Sequence, residues 1–498
     1  MNNKNHIVLL YPNNSKTIPK IPLSSLSLAA PLIKAGYKVS ICDTVFDDYR
    51  RMDFSNVLFI GVTAYSDLGI KIGLEISQFF KQNYSDGVVI WGGPHPTILI
   101  NQTLENKYID IVCKDEGEQT IVEVAKALTN NNSLIHIKGI SWKDKRQVIH
   151  HNPSREYIDL DTVVSYPYNM LNIKRYHWSL NERFYYESSR GCPYRCTFCS
   201  FDLSKKFRAK SAKKVVDDLE YIKIEFNPRE IVFLDSEFFI DKNRVNKICN
   251  EIIERSLNLK WSANCRANLI VNYDNNFLSL LEQSGCSELC FGAESGSNKI
   301  LKLIKKGITR EQIIESIKIL KPFSINSYIG FMCGFPEETD DDFNLTLSLI
   351  DEIKKIDNTV EIGTFQIYTP YPGSELYNLA CKMGYNSPNS LEEWAMVKNI
   401  SFTYKDNLTP WLTKEKAKKY YIATTLVRFD YMIQRERAIN FNEKIKVFKN
   451  SFLLFYLYKF FTVFFIISKN IRWRYRYFSF AFEWWIWRWI RNKFINYY

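Results

Sequence analysis

Residues 183–200 read RFYYESSRGCPYRCTFCS. The apolar and aromatic start of this stretch predicts a β-strand, and three cysteines crowd the loop that follows it. Up to residue 374 the chain repeats one unit, in which a strand-like run precedes an amphipathic helical pattern. The later strand-like runs are EIVFLD, KWSANC, ELCFGAESG, NSYIGFMCGFP and VEIGTFQIYTPYPGS. This alternation predicts a partial or complete parallel β/α barrel, whose active site lies at the carboxyl ends of the strands.

The first part of the chain shows a second α/β pattern. Short apolar runs such as HIVLLYP and NVLFIGVTAY alternate with amphipathic stretches such as LGIKIGLEISQFFKQ. Near-continuous apolar strands are typical of a parallel sheet covered by helices on both faces, so we predict a doubly wound, Rossmann-like domain. The predicted organisation is the α/β domain over 1–130, a polar linker with a hairpin near 137–148 over 131–180, the barrel over 181–390, a helical region over 391–440 and a basic, aromatic tail over 441–498.

Composition limits the class of protein. The length of 498 residues and the 46% hydrophobic content predict two or three globular domains. Eleven cysteines are an odd number, and the first apolar run is too short for a signal peptide, so we expect a reducing cytoplasm. The net charge is +12, but 11 basic and 2 acidic residues in 441–498 account for +9 of it. The main body therefore carries only +3, which argues against nucleic-acid binding.

The three cysteines Cys192, Cys196 and Cys199 have the spacing C-x3-C-x2-C. Three thiolates on one loop can hold three corners of a cubane iron–sulfur cluster and leave the fourth iron open. An open iron can chelate a substrate through an amine and a carboxylate. A structural zinc site is the alternative, but it requires four ligands, and no second Cys or His set follows within the next 40 residues.

This motif resembles that of the radical S-adenosylmethionine (SAM) superfamily, in which the three cysteines hold a [4Fe-4S] cluster and SAM binds the fourth iron. The aromatic residue before the last cysteine, FGAESG and IGFMCGFP resemble the family's SAM-binding segments. The glycine-glycine-glutamate motif expected after the second strand is replaced by FLDSEFF. Arg266 ends the third predicted strand, where a cation could meet the SAM carboxylate, or form an ordinary ion pair. The implied SAM contacts are Phe198, Asp235, Glu237, Arg266, Glu294, Ser295, Gly330 and Gly334.

The N-terminal segment resembles the cobalamin-binding domain that precedes many radical SAM enzymes. The resemblance implies that Thr63, Gly92 and Gly93 contact the cofactor, since glycine permits close approach to a strand end. Glu116 to Glu118 form an acidic loop near the same edge. The loop YPNNSKTIPKIPLSS after the first strand contains no histidine. We therefore expect cobalamin to bind without a protein histidine on cobalt, and a domain that binds nothing is the alternative.

The tail contains SFLLFYLYKFFTVFFIIS at 451–468, which is just long enough to span a bilayer. Lys459 would then lie near its centre, and the larger positive charge would lie outside, against the positive-inside tendency. The following RWRYRYFSFAFEWWIWRWIRNKF mixes arginine with aromatics, which favours the headgroup layer. We therefore predict a helical, membrane-prone extension that lies on the cytoplasmic leaflet, and a helix packed on the barrel is the alternative.

The leading hypothesis is a cobalamin-dependent radical SAM enzyme, in which reductive cleavage of SAM gives a 5'-deoxyadenosyl radical. The reaction we expect first is C-methylation of an unactivated carbon. A radical cyclase or rearrangement enzyme is a second hypothesis. From other classes, an iron–sulfur electron carrier and a membrane-bound cobalamin sensor also fit. The expected partners are a small-molecule or lipid substrate, a flavodoxin or ferredoxin as electron donor, and a membrane surface.

Overall fold

The computed structural model describes residues 4–13, 20–65, 68–176, 183–200, 206–397, 409–437 and 452–478. They form two α/β units with largely parallel sheets, followed by helical elements. The predicted mixed α/β architecture is confirmed.

The first unit is a seven-stranded sheet with the order β2-β1-β3-β4-β5-β6-β7. Its strands are β1 (His6–Tyr11), β2 (Lys38–Asp43), β3 (Val57–Thr63), β4 (Val88–Gly92), β5 (Ile111–Cys113), β6 (Ile140–Lys143) and β7 (Ile149–His151). The first five strands pair in parallel. Because the chain reverses its direction of progress between β1 and β3, a crevice opens at the carboxyl ends of these strands.

Helices cover both faces of this sheet. They are α1 (Leu23–Lys34), α2 (Leu68–Asn83), α3 (Pro94–Ile98), α4 (Ile100–Glu105) and α5 (Glu118–Thr129). Alternate residues of β1 enter different cores: Val8 packs on one face, and Ile7 and Leu9 pack on the other. A strand buried on both faces explains the unbroken apolar run in the sequence.

The hairpin expected within a linker belongs to the first sheet. β6 pairs antiparallel with β5, and β7 pairs antiparallel with β6. The N-terminal unit therefore extends to His151, and its sheet is parallel with an antiparallel edge. The sequence pattern placed the turn correctly but not its partner, since β5 is a distant three-residue strand.

The second unit is a six-stranded parallel sheet with the order β15-β14-β13-β12-β11-β8. Its strands are β8 (Arg183–Tyr186), β11 (Glu230–Phe233), β12 (Trp261–Asn264), β13 (Cys286–Glu294), β14 (Asn326–Cys333) and β15 (Glu361–Ile367). The strand order begins at β8 and ends at β15, so the described residues form a partial barrel. A separate antiparallel pair joins β9 (Ser189–Arg190) to β10 (Arg208–Ala209).

Helices alternate with these strands. They are α6 (Ala212–Phe226), α7 (Lys242–Glu254), α8 (Ala267–Ile270), α9 (Asn275–Gln283), α10 (Asn298–Leu303), α11 (Arg310–Leu320) and α12 (Asp340–Ile356). Polar N-caps start several of them: Ser211 caps α6, and Thr339 forms a capping box with Asp342 at α12. Each cap satisfies backbone N–H groups that the first helical turn leaves without a partner.

The segment after β15 returns to the first unit. It contains α13 (Glu375–Lys382) and α14 (Leu391–Trp394), and Leu391 and Trp394 join the core beside α2. Trp394 lies edge-on to the ring of His95, with ring centroids 5.6 Å apart. His95 is therefore a buried residue of α3 that packs against a segment from after β15.

The described C-terminal elements are α15 (Lys414–Arg437) and α16 (Phe452–Arg474). The end of α16 is held against the barrel, because Trp473 Nε1 donates to Asp351 Oδ1 at 2.6 Å. Within the described ranges, no helix has both the length and the apolar character that crossing a bilayer requires. The rest of the predicted tail, residues 441–451 and 479–498, lies outside the described residues.

Candidate cluster loop and interdomain cavity

The cysteine loop begins where β8 ends. The antiparallel pair of β9 and β10 brackets residues 191–207, and Gly191 at its start has a φ of 84°. Cys192 and Cys196 are partly buried and Cys199 is exposed, and no disulfide joins any two cysteines of the described residues. In the described part of the chain, no three His, Cys, Asp or Glu side chains are arranged to hold a metal ion. The three thiols share one loop but do not converge on one point in the structure, and thiolates are the donors that iron–sulfur clusters use.

Arg266 lies beside this loop at the end of β12. Its Nη1 is 3.7 Å from Cys196 Sγ, and its guanidinium carbon lies 3.7 Å from the ring centroid of Tyr194. Its Nη2 donates to the carbonyl oxygen of Lys306. These contacts place the positive charge against the cysteine loop, where it stabilises thiolate or an anionic cluster. A contact between Arg266 and SAM stays a prediction.

A buried ion pair forms the next part of this site. Lys306 Nζ donates to Glu294 Oε1 at 2.7 Å, and the same ammonium lies 5.9 Å from the ring centroid of Phe198. A Cβ on Gly292 would collide with the Glu294 carboxylate and lie 3.0 Å from Lys306 Nζ, so a larger residue there would displace this ion pair. Sequence reasoning selected Glu294 and Phe198 but missed Lys306, which follows α10 without a recognisable motif.

The two acids after β11 have different surroundings. Asp235 is fully buried and accepts hydrogen bonds from Ser188 N at 2.7 Å and from Ser189 Oγ at 2.7 Å. It therefore ties β11 to the segment that leads into the cysteine loop. Burial raises the pKa of Glu237 to about 8, while the positive charges of Arg266 and Lys306 act in the opposite direction. Of the pair, Glu237 is the acid that faces the charged groups of the site.

The last predicted SAM contacts lie at the ends of β13 and β14. Ser295 is buried, and its Oγ lies 3.2 Å from Thr346 Oγ1 and accepts from Ser297 N at 3.1 Å, so it holds the turn into α10. Gly334 has a φ of 76°, and its carbonyl oxygen accepts from Trp411 Nε1 at 3.0 Å. A Cβ on Gly330 would meet no atom within 4 Å, which leaves open space on that face of β14.

A buried carboxyl that the sequence did not suggest supports the turn after β14. Glu338 accepts hydrogen bonds from Gly334 N and, at 3.2 Å, from the Tyr420 hydroxyl. Burial raises its pKa to about 7. Its partner Tyr420 lies on α15, some 80 positions away in the chain, so no local pattern signals this contact.

A cavity of about 480 Å³ lies between the two units. On the N-terminal side it lies at the carboxyl ends of β1, β3, β4 and β5, and Thr63, Gly92 and Gly93 line it as predicted for cofactor contacts. Gly93 has a φ of 99°, and a Cβ there would lie 2.9 Å from Ala64 O, so this turn requires glycine. The described lining residues include no histidine. Binding of cobalamin by these residues stays a prediction.

Charged side chains close the barrel side of the cavity. Arg190 pairs with Glu118 at 2.7 Å, with Glu187 at 2.9 Å and with Glu116 at 3.2 Å. Burial alone would raise the pKa of Glu118, but the Arg190 charge and hydrogen bonds from Arg190 and Ser27 hold it below the usual range. Because Arg190 stands two residues before Cys192, this ionic cluster joins the acidic loop of the first unit to the cysteine loop of the second.

Comparison with known protein families identifies the second unit. Residues 186–350 match the family model of the radical SAM superfamily, and the matched range contains all three cysteines of the loop. Residues 186–350 are therefore a radical SAM domain. The resemblance found in the sequence is confirmed, and a radical SAM domain implies a [4Fe-4S] cluster and SAM as cofactors.

Similar proteins share more than the radical SAM domain. An uncharacterized methyltransferase of Pyrococcus horikoshii is 29% identical over 388 residues, which cover 75% of this chain and 83% of that protein. The anaerobic magnesium-protoporphyrin IX monomethyl ester cyclase of a Synechocystis species is 25% identical over 347 residues. The matched region covers 67% of this chain and 69% of the cyclase.

A solved structure is similar across both units. The radical SAM methyltransferase TsrM of Kitasatospora setae, solved with cobalamin and a [4Fe-4S] cluster bound, superposes with a TM-score of 0.65. The match covers 85% of this chain and 89% of TsrM at 17% sequence identity. At this identity the similarity establishes a shared fold. The chain therefore shares the two-unit fold of TsrM.

Proposed function

We propose that this radical SAM enzyme is cobalamin-dependent and methylates an unactivated carbon of a small-molecule or lipid substrate. The cavity between the two units is the observation that carries the proposal. Its N-terminal wall is built from Thr63, Gly92 and Gly93, and its opposite wall includes Arg190, close to Cys192. A substrate in this cavity would lie between the two cofactor sides, which is the position that methyl transfer to a carbon radical requires.

The residues of the second unit have distinct roles in this proposal. The thiolates of Cys192, Cys196 and Cys199 would hold the cluster, and Glu237 and Glu294 would orient SAM. Reduction of the bound cluster, by a donor of the flavodoxin or ferredoxin class, supplies the electron that cleaves SAM to methionine and a 5'-deoxyadenosyl radical. Leu234, which follows β11, contributes an apolar surface to the cavity.

The first unit would hold cobalamin without a histidine on cobalt. The described cavity lining contains none, and His95 packs against Trp394 in α3 and is not part of that lining. The glycine pair and the apolar side chains of Leu9, Leu28 and Ile90 line the cavity, and a corrin could pack against them. Cobalamin, when bound, supplies a carrier for the methyl group.

The products made from SAM test the proposal. The anaerobically reconstituted chain, given reductant, cobalamin and SAM, is expected to release both 5'-deoxyadenosine and S-adenosylhomocysteine. Radical formation produces the first, and removal of a methyl group from a second SAM produces the second. Absence of both products would overturn the proposal and would favour an electron carrier or a cobalamin sensor.

A radical cyclase is the second candidate, because cyclases are among the similar proteins. A cyclase or rearrangement enzyme would form 5'-deoxyadenosine without consuming methyl groups. The same assay therefore separates the two candidates, since only the methyltransferase yields S-adenosylhomocysteine in amounts that depend on added cobalamin.

We also propose that α16 lies on the membrane surface of the cytoplasmic leaflet. Its apolar side chains Phe460, Val463, Phe464, Ile467 and Ile471 recur on one face and are exposed, with Phe460 exposed to 70%. The basic side chains of Lys469, which is partly exposed, and Arg474, which is exposed, match anionic headgroups. Such a position would bring an apolar substrate to the cavity.

Vesicle binding tests this position. The full chain is expected to sediment with phosphatidylglycerol vesicles, and Ile467→Glu with Ile471→Glu should abolish this. The control is Ile224→Glu on α6, a residue that is 72% exposed on another helix and should have no effect. Equal sedimentation of the parent chain and the α16 variant would contradict the proposal.

A further inference from the structure

The cysteine loop rests on the end of α10. Thr197 N donates to the carbonyl oxygen of Ile304 at 2.9 Å, and Thr197 Oγ1 donates to that of Leu303 at 3.4 Å. These hydrogen bonds place the loop beside residues 302–305, which follow the carboxyl end of β13. Cys199 is exposed. The thiol that would hold one corner of a cluster therefore lies at the protein surface.

Positive charge is concentrated in this part of the molecule. In segments 191–206 and 298–307, the described residues include no acidic side chain and six basic ones, namely Arg195, Lys206, Lys299, Lys302, Lys305 and Lys306. Asp202 and Lys205, which lie outside the described residues, cancel each other in charge. Residues 1–440 as a whole have a net charge of only +3. The cysteine loop and α10 are therefore more basic than the rest of the main body.

Neighbouring acids offset only part of this charge. The acidic side chains in contact with the two segments are Glu294, Glu311, Asp342 and Glu375. Arg266, which contacts Cys196, adds a further positive charge. Arg195 and Lys302 are exposed, and Lys305 is 55% exposed although it pairs with Glu375. We call the exposed group of Arg195, Lys302 and Lys305 the basic surface.

The basic surface lies where an electron has to enter. Cleavage of SAM needs one electron from outside the chain: a carrier loses it, and SAM gains it as its carbon–sulfur bond breaks into methionine and the 5'-deoxyadenosyl radical. The carrier has to approach the three thiols closely, because electron transfer slows steeply with distance. Positive side chains beside the loop attract a negatively charged partner and orient it through complementary charges.

We infer that the basic surface docks an electron-carrier protein with an acidic surface around its redox centre. This inference rests on the proposed function, because a carrier is needed only if the loop holds a cluster that cleaves SAM. It adds to that function the face on which the reductant binds. Another side of the loop faces the first unit, where Arg190 pairs with Glu118 at 2.7 Å, so the carrier approaches from the side of α10.

Carrier binding tests the inference directly. The probes are flavodoxin and a [2Fe-2S] ferredoxin, and titration of the full chain at low ionic strength measures their affinity. Lys302→Glu with Lys305→Glu should weaken carrier binding at least about tenfold. Added salt should weaken binding to the parent far more than binding to this variant, because salt screens the charges. Arg195 stays unchanged in the variant, since its substitution would alter the cysteine loop itself.

A small reductant separates docking from chemistry. With saturating dithionite, the parent and the variant should form 5'-deoxyadenosine at the same rate, because dithionite does not need the basic surface. With reduced carrier, the variant should be at least about tenfold slower.

Lys318→Glu with Lys321→Glu is the matched control, because it makes the same change of charge on two exposed lysines. Lys318 is 55% exposed and pairs with Glu315, as Lys305 pairs with Glu375. It lies near the end of α11, which leads to the start of β14 and so to the opposite end of the barrel. The control should bind the carriers like the parent.

Three results would overturn the inference while the proposed function stands. They are a Lys302 and Lys305 variant that binds both carriers as tightly as the parent, a control that loses as much affinity as this variant, and a parent that binds neither carrier. Failure of the parent to form 5'-deoxyadenosine with dithionite would overturn the proposed function instead.

Discussion

At the residue scale, the three cysteines and their neighbours determine the chemistry. Arg266 contacts Cys196 Sγ and stacks on Tyr194, so the loop that carries the thiols is held by a cation rather than by apolar packing alone. A cation beside thiols favours the thiolate form that binds iron. The remaining charges, Lys306 and Glu294, form a pair that keeps this buried region close to neutral.

Loss of one thiol should abolish cluster assembly. Cys196→Ala leaves two cysteines in the loop, which cannot hold three corners of a cubane. We expect iron to fall from about four atoms per chain to a small residue, and 5'-deoxyadenosine formation to fall at least about a hundredfold. Cys381→Ala is the control, because that thiol is exposed on α13 outside the site. Retention of iron in the Cys196 variant would contradict the assignment.

Glu237 makes a pH-dependent contribution to stability. Burial raises its pKa from the ordinary 4.5 to about 8. Between these values the folded state binds a proton that the unfolded state releases, so the free energy of unfolding falls as pH rises, by at most about 1.4 kcal/mol per pH unit. Glu237→Gln removes this loss, and its denaturation midpoint should rise relative to the parent between about pH 6 and about pH 8.

Thermal denaturation of both proteins across this range measures the effect. Glu254→Gln on the exposed surface of α7 is the control and should follow the parent at every pH. A midpoint difference between Glu237→Gln and the parent that does not change with pH would show that Glu237 is already ionised in the folded state.

At the scale of elements, the turn between β4 and α3 forms the wall that would receive cobalamin. Gly93→Ala introduces a Cβ 2.9 Å from Ala64 O at a φ of 99°, so the turn must move. We expect corrin binding to weaken at least about tenfold, with cluster content unchanged. Gly36→Ala is the matched control: its φ of 91° imposes similar strain, but no atom lies within 4 Å of the new Cβ. Equal losses in the two variants would mean that strain alone acts.

The ionic cluster around Arg190 couples two elements that are far apart in sequence. Arg190→Gln leaves Glu118 and Glu187 without their cation, which should cost about 3–5 kcal/mol in the free energy of unfolding. Adding Glu118→Gln should recover part of this loss. Lys318→Gln, at an exposed pair with Glu315, should change stability by about 0.5 kcal/mol or less.

Denaturant unfolding of the parent, the single variants Arg190→Gln and Glu118→Gln, and the double variant gives the coupling energy between positions 190 and 118. Additive effects of the two substitutions would contradict the expectation, because they would show that the two side chains do not stabilise each other.

At the scale of the whole molecule, the sequence predicted the strands and helices of both units, because each element carries its own hydrophobic period and turn residues. It also predicted which loops carry chemistry, since Cys192 to Cys199 and Gly92–Gly93 lie directly after strands. It missed contacts made by side chains from distant segments. Arg190 with Glu118, Glu338 with Tyr420 and Trp394 with His95 each join residues at least 70 positions apart.

Pairing across the first sheet was missed for the same reason. β6 and β7 have the alternating pattern that any edge strand can have. That pattern does not indicate that β6 pairs with β5. The sequence predicted which faces of the helices and strands are apolar more reliably than it predicted which elements pack against those faces. The apolar stripe on α16 is exposed in the described residues, while what it contacts is the subject of a proposal.

The central claim is that three thiolates hold a cluster whose fourth iron binds SAM. Electron paramagnetic resonance of the anaerobically reduced chain, recorded before and after SAM is added, tests it most directly. We predict the signal of a reduced [4Fe-4S] cluster and a change in that signal when SAM binds. Zinc in place of iron, or a cluster signal that SAM leaves unchanged, would contradict the account.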